Sequence, residues 1–165
     1  MTSAPDVVTF RVEQALYGVA VERVQEILDL RPISPMPNAP GYLLGITDLR
    51  GDNIPVVDLR LLLGLPRAED TAQTRILVTH IAHGTDEAVV GLRTDRVIEV
   101  TRLDDDILRP LAEADLLRWK GTTIAGIGRR NGEVVSIIDL DNLFNDVALS
   151  DGAVHHTGAS AEATA

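Results

Sequence analysis

Cysteine is absent from the 165 residues. That excludes a disulfide framework, a thiol nucleophile and a thiolate metal site, and it fits a reducing compartment. Aromatic residues are nearly absent at 3%, so the core has to be aliphatic, and 45% hydrophobic residues are enough to build one. No apolar run approaches the ~20 residues that a membrane-spanning helix needs. The opening segment, MTSAPDVVTF, has no basic stretch followed by an apolar one, so no signal peptide is expected and the reading is cytoplasmic. Lysine occurs only as Lys120 among 15 basic residues, and 25 acidic residues give a net charge of −10. Phosphate backbones are repelled by such a surface, which excludes nucleic acid as a partner, while basic partners are attracted.

What is present is concentrated in residues 45–65, GITDLRGDNIPVVDLRLLLGL. Two apolar runs flank a polar turn at Asp48-Leu49-Arg50-Gly51-Asp52-Asn53, and Gly51 reads as a hairpin turn or bulge. Val56-Val57 favours a strand, and Pro55, which cannot donate a ladder hydrogen bond, points to an edge or a strand start. Asp58 suits the N-cap of a helical turn through Leu61-Leu62-Leu63, with Gly64 as its stop.

The same pattern recurs. A shift of 81, from 45 to 126, lays Gly45-Ile46 on Gly126-Ile127, Gly51 on Gly132, and Val56-Val57-Asp58-Leu59 on Ile137-Ile138-Asp139-Leu140. A shift of 73, from 18 to 91, lays Gly18-Val19 on Gly91-Leu92, Val24 on Val97 and Glu26-Ile27 on Glu99-Val100. Two matches in the same order indicate an internal duplication, with halves at roughly 15–70 and 74–147 intertwined around a shared core.

Along the rest of the chain, residues 1–6 read as loose, 7–12 and 15–21 as strands. Residues 22–28 allow a helix or a strand entered through a short helical turn; the β-branched copy Val97-Ile98-Glu99-Val100 favours the strand. Arg31 to Pro40 carries four prolines and must be extended or loop. It serves equally as a rigid binding loop or a simple crossover. Residues 67–73 form a linker, 74–82 and 87–94 strands. Asp104-Asp105-Asp106 opens an irregular segment in which an Asp caps Ile107-Leu108. A helical turn fits within 111–119. Residues 122–127 and 134–140 are the last strands, turning at Asn131-Gly132 as a type I′ hairpin, and 139–147 a final helix. The tail, 151–165, reads as disordered. Some ten short strands in two similar units mean an all-β protein, and five-stranded units of this size close into barrels.

Reactive chemistry finds little support. No Gly-x-Ser-x-Gly or His-Glu-x-x-His motif occurs. His80 and His83 point in different directions, and His155 and His156 lie in the tail, so no metal site is expected. Gly126-Ile127-Gly128 lacks the third glycine and the following helix of a dinucleotide loop. Asp58 and Asp139 occupy matching places in the repeat, which favours capping over acid–base work. No catalytic residue and no cofactor is expected. Arg50 sits before a turn glycine and can pair with a carboxylate across the fold or with a partner, and Glu26 occupies a strand position.

The string Gly45-Ile46-Thr47-Asp48-Leu49-Arg50-Gly51, followed by Pro55-Val56-Val57-Asp58-Leu59-Arg60, resembles the signature of bacterial chemotaxis coupling proteins, the CheW family. Tyr17-Gly18-Val19 and Val24-Gln25-Glu26-Ile27 resemble two further blocks of it, and the likeness runs from about Val8 to Phe144 within a domain at 7–150. Asp48 and Asn53 stand where the family usually carries Asn and an apolar residue. The resemblance implies two pseudo-symmetric five-stranded SH3-like β-barrels with short helices and a C-terminal helix. It implies a non-enzymatic adaptor between the regulatory domain of the histidine kinase CheA and the cytoplasmic tip of chemoreceptors, associated with membrane receptor arrays but not inserted in the membrane. By position, Val24, Glu26 and Arg50 match receptor-coupling residues, Gly45, Gly51 and Gly91 shape the backbone there, and Ile33 and Asn53 match kinase-side loops. A scaffold in a paralogous pathway governing pili, biofilm or development, or a regulator competing for kinase or receptor, fits the same residues.

Overall fold

The structure, a computed structural model, describes residues 2–110 and 123–145. Among the described residues there are twelve strands: β1 (Thr2–Ser3), β2 (Val7–Val12), β3 (Ala15–Ala20), β4 (Val24–Asp29), β5 (Leu43–Leu49), β6 (Asp52–Asp58), β7 (Arg75–His83), β8 (Asp86–Thr94), β9 (Arg96–Thr101), β10 (Ile107–Leu108), β11 (Ile124–Arg130) and β12 (Glu133–Ile138). A 3-10 turn, Val21–Arg23, leads into β4, so the ambiguous segment is a strand entered through a helical turn. Helix α1 (Leu59–Leu62) starts where the Asp58 carboxylate accepts a hydrogen bond from the Arg60 amide at 3.0 Å. It ends at Gly64, whose φ of +81° suits glycine. Helix α2 is described over 140–145 and starts the same way, Asp139 accepting from the Asn142 amide at 3.1 Å.

The duplication is visible in the strand order. One sheet runs β4-β7-β8-β6-β5 and the other β9-β2-β3-β12-β11. In both, a hairpin (β5–β6, β11–β12) lies parallel to one strand of a second hairpin (β7–β8, β2–β3), and the second strand of that hairpin carries the outermost strand. The parallel ladders share one register: Val56 faces Gly91 in the first, Ile137 faces Gly18 in the second. These are the pairs that the shifts of 81 and 73 superimpose. The central strands, β4 to β8, make one unit, here the central barrel. The terminal barrel takes β2 and β3 from the start of the chain and β9, β11 and β12 from its second half. Each of the halves 15–70 and 74–147 therefore contributes strands to both barrels.

Both sheets are closed by the chain that leaves the outermost strand. After β4, Ser34 pairs with Ile46 of β5 in both directions, at 2.8 and 2.9 Å. After β9, Arg109 pairs with Ile127 of β11, at 3.0 and 2.7 Å. The closing chain runs so close to β5 that a Cβ on Gly45 would lie 2.1 Å from the Ser34 carbonyl oxygen, and Gly45 has φ +145°. Only glycine fits there. The fold is all-β: two pseudo-symmetric five-stranded SH3-like barrels with short helices.

Strand alternation builds three cores. Val7, Leu16, Val135 and Ile137 fill the terminal barrel, and Leu28, Ile54, Val56, Ile76 and Val78 the central one. The opposite faces of the same strands, with Val8, Phe10 and Val12 against Leu77, Ile81 and Leu92, form a shared core capped by Leu59, Leu140 and Leu143. Full burial of each such side chain contributes roughly 2 kcal/mol.

Three expectations change. Residues 2 and 3 are not loose: β1 pairs with β10, and Ala4 N–H donates to the Asp106 carbonyl at 2.7 Å. Ile107-Leu108 is accordingly a strand, with no cap from the Asp run. Pro55 lies inside β6, not on an edge strand. It is tolerated because β8 pairs with β6 only from Val56 to Asp58, so no partner needs the missing N–H. The helical turn expected within 111–119, the end of the helix beyond 145 and the 151–165 tail lie outside the described residues.

Candidate partner-docking site

The β5–β6 hairpin turns at Arg50-Gly51, both at positive φ (52° and 90°), a two-residue turn whose twist matches its strands. The Asp48 carboxylate accepts from the Gly51 amide at 3.1 Å and braces the turn. An Asn oxygen accepts the same bond, so Asp48 preserves this geometry. The turn holds the Arg50 side chain out over β4, where its two terminal nitrogens meet the Glu26 carboxylate at 3.1 and 2.5 Å. Such a fork-to-fork pair is planar and directional. Arg50 is 66% exposed, so the pair faces solvent. The bidentate bond from Arg50 holds the Glu26 carboxyl below the usual glutamate range, and the charge of Arg31 adds to this. Glu26 in turn raises Arg50.

Sequence reasoning named Glu26 and Arg50 separately, and the fold brings them into contact. Val24 lies at the start of β4, two residues from Glu26 and partly buried. Gly51 forms the exposed turn, whereas Gly45 and Gly91 are buried in the barrel wall and act only through the backbone. Gly91 gives Val56 and Ile76 the space they fill. Ile33 and Asn53 do not come together. Asn53 lines a groove of about 380 Å³ with Gln25, Leu49, Arg50, Ile54 and Val89, on the Arg50 side. Ile33 lines a separate groove of about 460 Å³ with Leu30, Leu44, Asp58 and Arg93. Two residues escaped notice. Gln25 lines the Arg50 groove, and its place between Val24 and Glu26 was a usable signal. Arg31 donates to the Asp48 carbonyl at 3.1 Å from within the proline-rich loop, a contact that local sequence does not signal.

Among the described residues no group of three or more His, Cys, Asp or Glu is placed to hold a metal ion. No described helix is long and apolar enough to cross a membrane. The site offers charge, shape and backbone rigidity.

The family model for the CheW-like domain matches residues 6–148. The chain belongs to the CheW-like family. Among relatives, a probable chemotaxis protein CheW of Rhizobium etli is 32% identical over 143 residues, spanning 86% of this chain and 88% of that one. The chemotaxis protein CheW of Thermotoga maritima is 24% identical over 147 residues, 89% of this chain and 92% of that one. A crystal structure of the scaffolding protein TtCheW from Thermoanaerobacter tengcongensis superimposes with a TM-score of 0.73 at 28% identity, covering 86% of this chain and 92% of that one. The resemblance carried by residues 45–60 thus extends over the whole double barrel, and a scaffold of the chemotaxis CheW family is what this CheW-like chain is built as.

Proposed function

We propose that this CheW-like chain couples chemoreceptors to the histidine kinase CheA and catalyses nothing itself. The observation that carries the reading is the solvent-facing Glu26–Arg50 pair, with Glu26 on β4 and Arg50 on a braced turn of the same barrel. A rigid frame with an exposed bidentate charge pair suits recognition of a partner's polar groups, because little side-chain freedom is lost on docking. A receptor tip presents α-helices, and a helix docks by laying one face in a groove; the groove lined by Gln25, Leu49, Arg50 and Val89 is assigned to it, together with Val24, Glu26 and Gly51, chain neighbours of its lining residues. The proline-rich loop with Ile33 is assigned to the kinase regulatory domain, a domain similar in fold; Asn53, matched to the kinase side by resemblance, lines the Arg50 groove and falls on the receptor side. The chain would work in the cytoplasm beneath the receptor array. Moderate affinities at each face suffice when many copies are held in an array.

The test is co-sedimentation of purified CheA with vesicles bearing a receptor cytoplasmic fragment. CheA should pellet with the vesicles when this chain is added and stay in the supernatant without it. Equal pelleting in both cases, or none in either, overturns the coupling role.

A further inference from the structure

The β11–β12 hairpin turns at Asn131-Gly132, both exposed and both at positive φ (52° and 80°). It is the single Asn-Gly step in the sequence. Asparagine is thermolabile, and a following glycine makes it most so, because a residue without a side chain leaves its amide nitrogen unshielded. A Cβ built on Gly132 would meet nothing within 4 Å, so the fold adds no steric shield there. The shield is a carboxylate. Asp104 accepts the Asn131 amide with one oxygen and the Gly132 amide with the other, each at 2.9 Å. Arg129 Nη1 also holds the Gly132 carbonyl at 2.8 Å. The corresponding turn of the central barrel, Arg50-Gly51, has a carboxylate brace but no asparagine.

We propose that Asn131-Gly132 is a self-modification site whose deamidation Asp104 holds in check. In the step, the Gly132 nitrogen attacks Asn131 Cγ, the new N–Cγ bond closes a cyclic imide, and the Cγ–Nδ2 bond breaks. The amide proton goes to a base in solvent, and the leaving nitrogen takes a proton from water and departs as ammonia. Water then opens the imide at either carbonyl, leaving aspartate or isoaspartate in place of Asn131; nothing is oxidised or reduced. The Gly132 nitrogen becomes a nucleophile only as it sheds its proton, and negative charge on it is opposed by a carboxylate 2.9 Å away. The same proton is engaged in the bond to Asp104, which has to break first. The two amide bonds hold the Asp104 carboxyl below the usual aspartate value, so it stays charged at neutral pH and is a poor base for that proton. The product sets a new negative charge beside Asp104 and next to Arg130, whose Nε meets Glu99 Oε1 at 2.9 Å, so modification would loosen the brace and compete for Arg130.

The test ages the full chain, as wild type, D104A, D104N and E133A, in mildly alkaline buffer, with melting curves to establish folding. Peptide mapping by mass spectrometry locates the amide-to-acid mass gain at Asn131, and an isoaspartyl methyltransferase scores isoaspartate. D104A should deamidate about tenfold faster than wild type, the factor expected when an amide loses a hydrogen bond to a charged acceptor. D104N, which keeps an acceptor without the charge, should fall between the two. E133A removes a neighbouring carboxylate that bonds Arg11 instead, and should keep the wild-type rate. An unchanged rate in folded D104A overturns the proposal, as does equal acceleration in E133A. A slower rate in D104A overturns it too, since Asp104 would then be the base. If neither Asp104 variant folds, the wild type decides: a synthetic peptide of residues 126–137 should deamidate faster than the folded chain, and equal rates overturn the proposal.

Discussion

The two barrels clasp each other at two equivalent joints, and the joints carry opposite charges. The 81-residue shift lays Arg60 of α1 on Asp141 of α2. Arg60, 5% exposed, reaches from the central barrel to Glu13 in the β2–β3 turn of the terminal one. It also donates to Asp95, between β8 and β9, at 2.5 Å and to the Pro66 carbonyl at 2.8 Å. Asp141 reaches the other way, accepting both terminal nitrogens of Arg23, between β3 and β4, and the Ala82 amide of β7 at 2.9 Å. The cation sits on the helix in one joint and on the strand connection in the other. Were the helices exchanged, Arg60 would meet Arg23 and Asp141 would meet Asp95 and Glu13. The two barrels share one strand order, so a helix of one could seat on the joint of the other, and the charge inversion makes that wrong pairing repulsive.

Unequal burial makes the joints unequal in energy, and substitutions should rank them. The barrel closures differ most. Gly45→Ala should cost about 4 kcal/mol, because positive φ and a backbone clash coincide. Gly126→Ala, whose Cβ would meet the Leu108 Cβ at 2.8 Å, should cost about half as much. Urea midpoints at constant slope check both. Among the joints, Arg60→Met should cost about 3 kcal/mol, since it strips a buried cation from two carboxylates. Asp141→Asn, at a partly exposed pair, should cost about 1 kcal/mol. The charge swap R23D/D141R should recover most of what D141R alone loses, whereas failure to recover would make the inversion incidental.

Acid should separate two aspartates of the helix starts. The bonds from Arg23 hold the Asp141 carboxyl below the usual aspartate value of 3.8, so its contribution is present above that value and is lost as pH falls through the depressed one. Burial pushes the Asp58 carboxyl above the same value, so the cost of burying its charge is relieved on acidification. The stability gap between wild type and D141N should therefore close below about pH 4. Smallest of all, Arg130→Ala, at the surface pair with Glu99 where Arg130 Nε meets Glu99 Oε1 at 2.9 Å, should change stability by no more than about 0.5 kcal/mol.

Local chemistry explains why much of this was legible in advance. Arg50-Gly51 and Asn131-Gly132 announce their turns because few residues accept positive φ, and Asp58 and Asp139 announce helix starts because a carboxylate two or three residues ahead captures a free amide. The repeat pointed to two equivalent units, and the register of Val56 with Gly91 and Ile137 with Gly18 follows it. Long-range partners were not legible. Asp104 reads locally as part of an acidic run, yet its carboxylate accepts the Asn131 and Gly132 amides, both at 2.9 Å, and braces the second hairpin from 27 residues away. Arg60 reads as one more arginine of the signature, and nothing nearby in the chain reveals Glu13 and Asp95. In the site, the types of Glu26 and Arg50 were readable; their contact, and the bond from Arg31 to Asp48, depend on how the barrel closes.

Charge reversal at Arg50 gives the sharpest check on the proposal that the chain presents one face to a receptor and another to the kinase. R50E, with an unchanged melting curve, should lose co-sedimentation with receptor-bearing vesicles and keep its binding to the CheA regulatory domain. Loss of both, or retention of both, would contradict separate faces and with them the adaptor role.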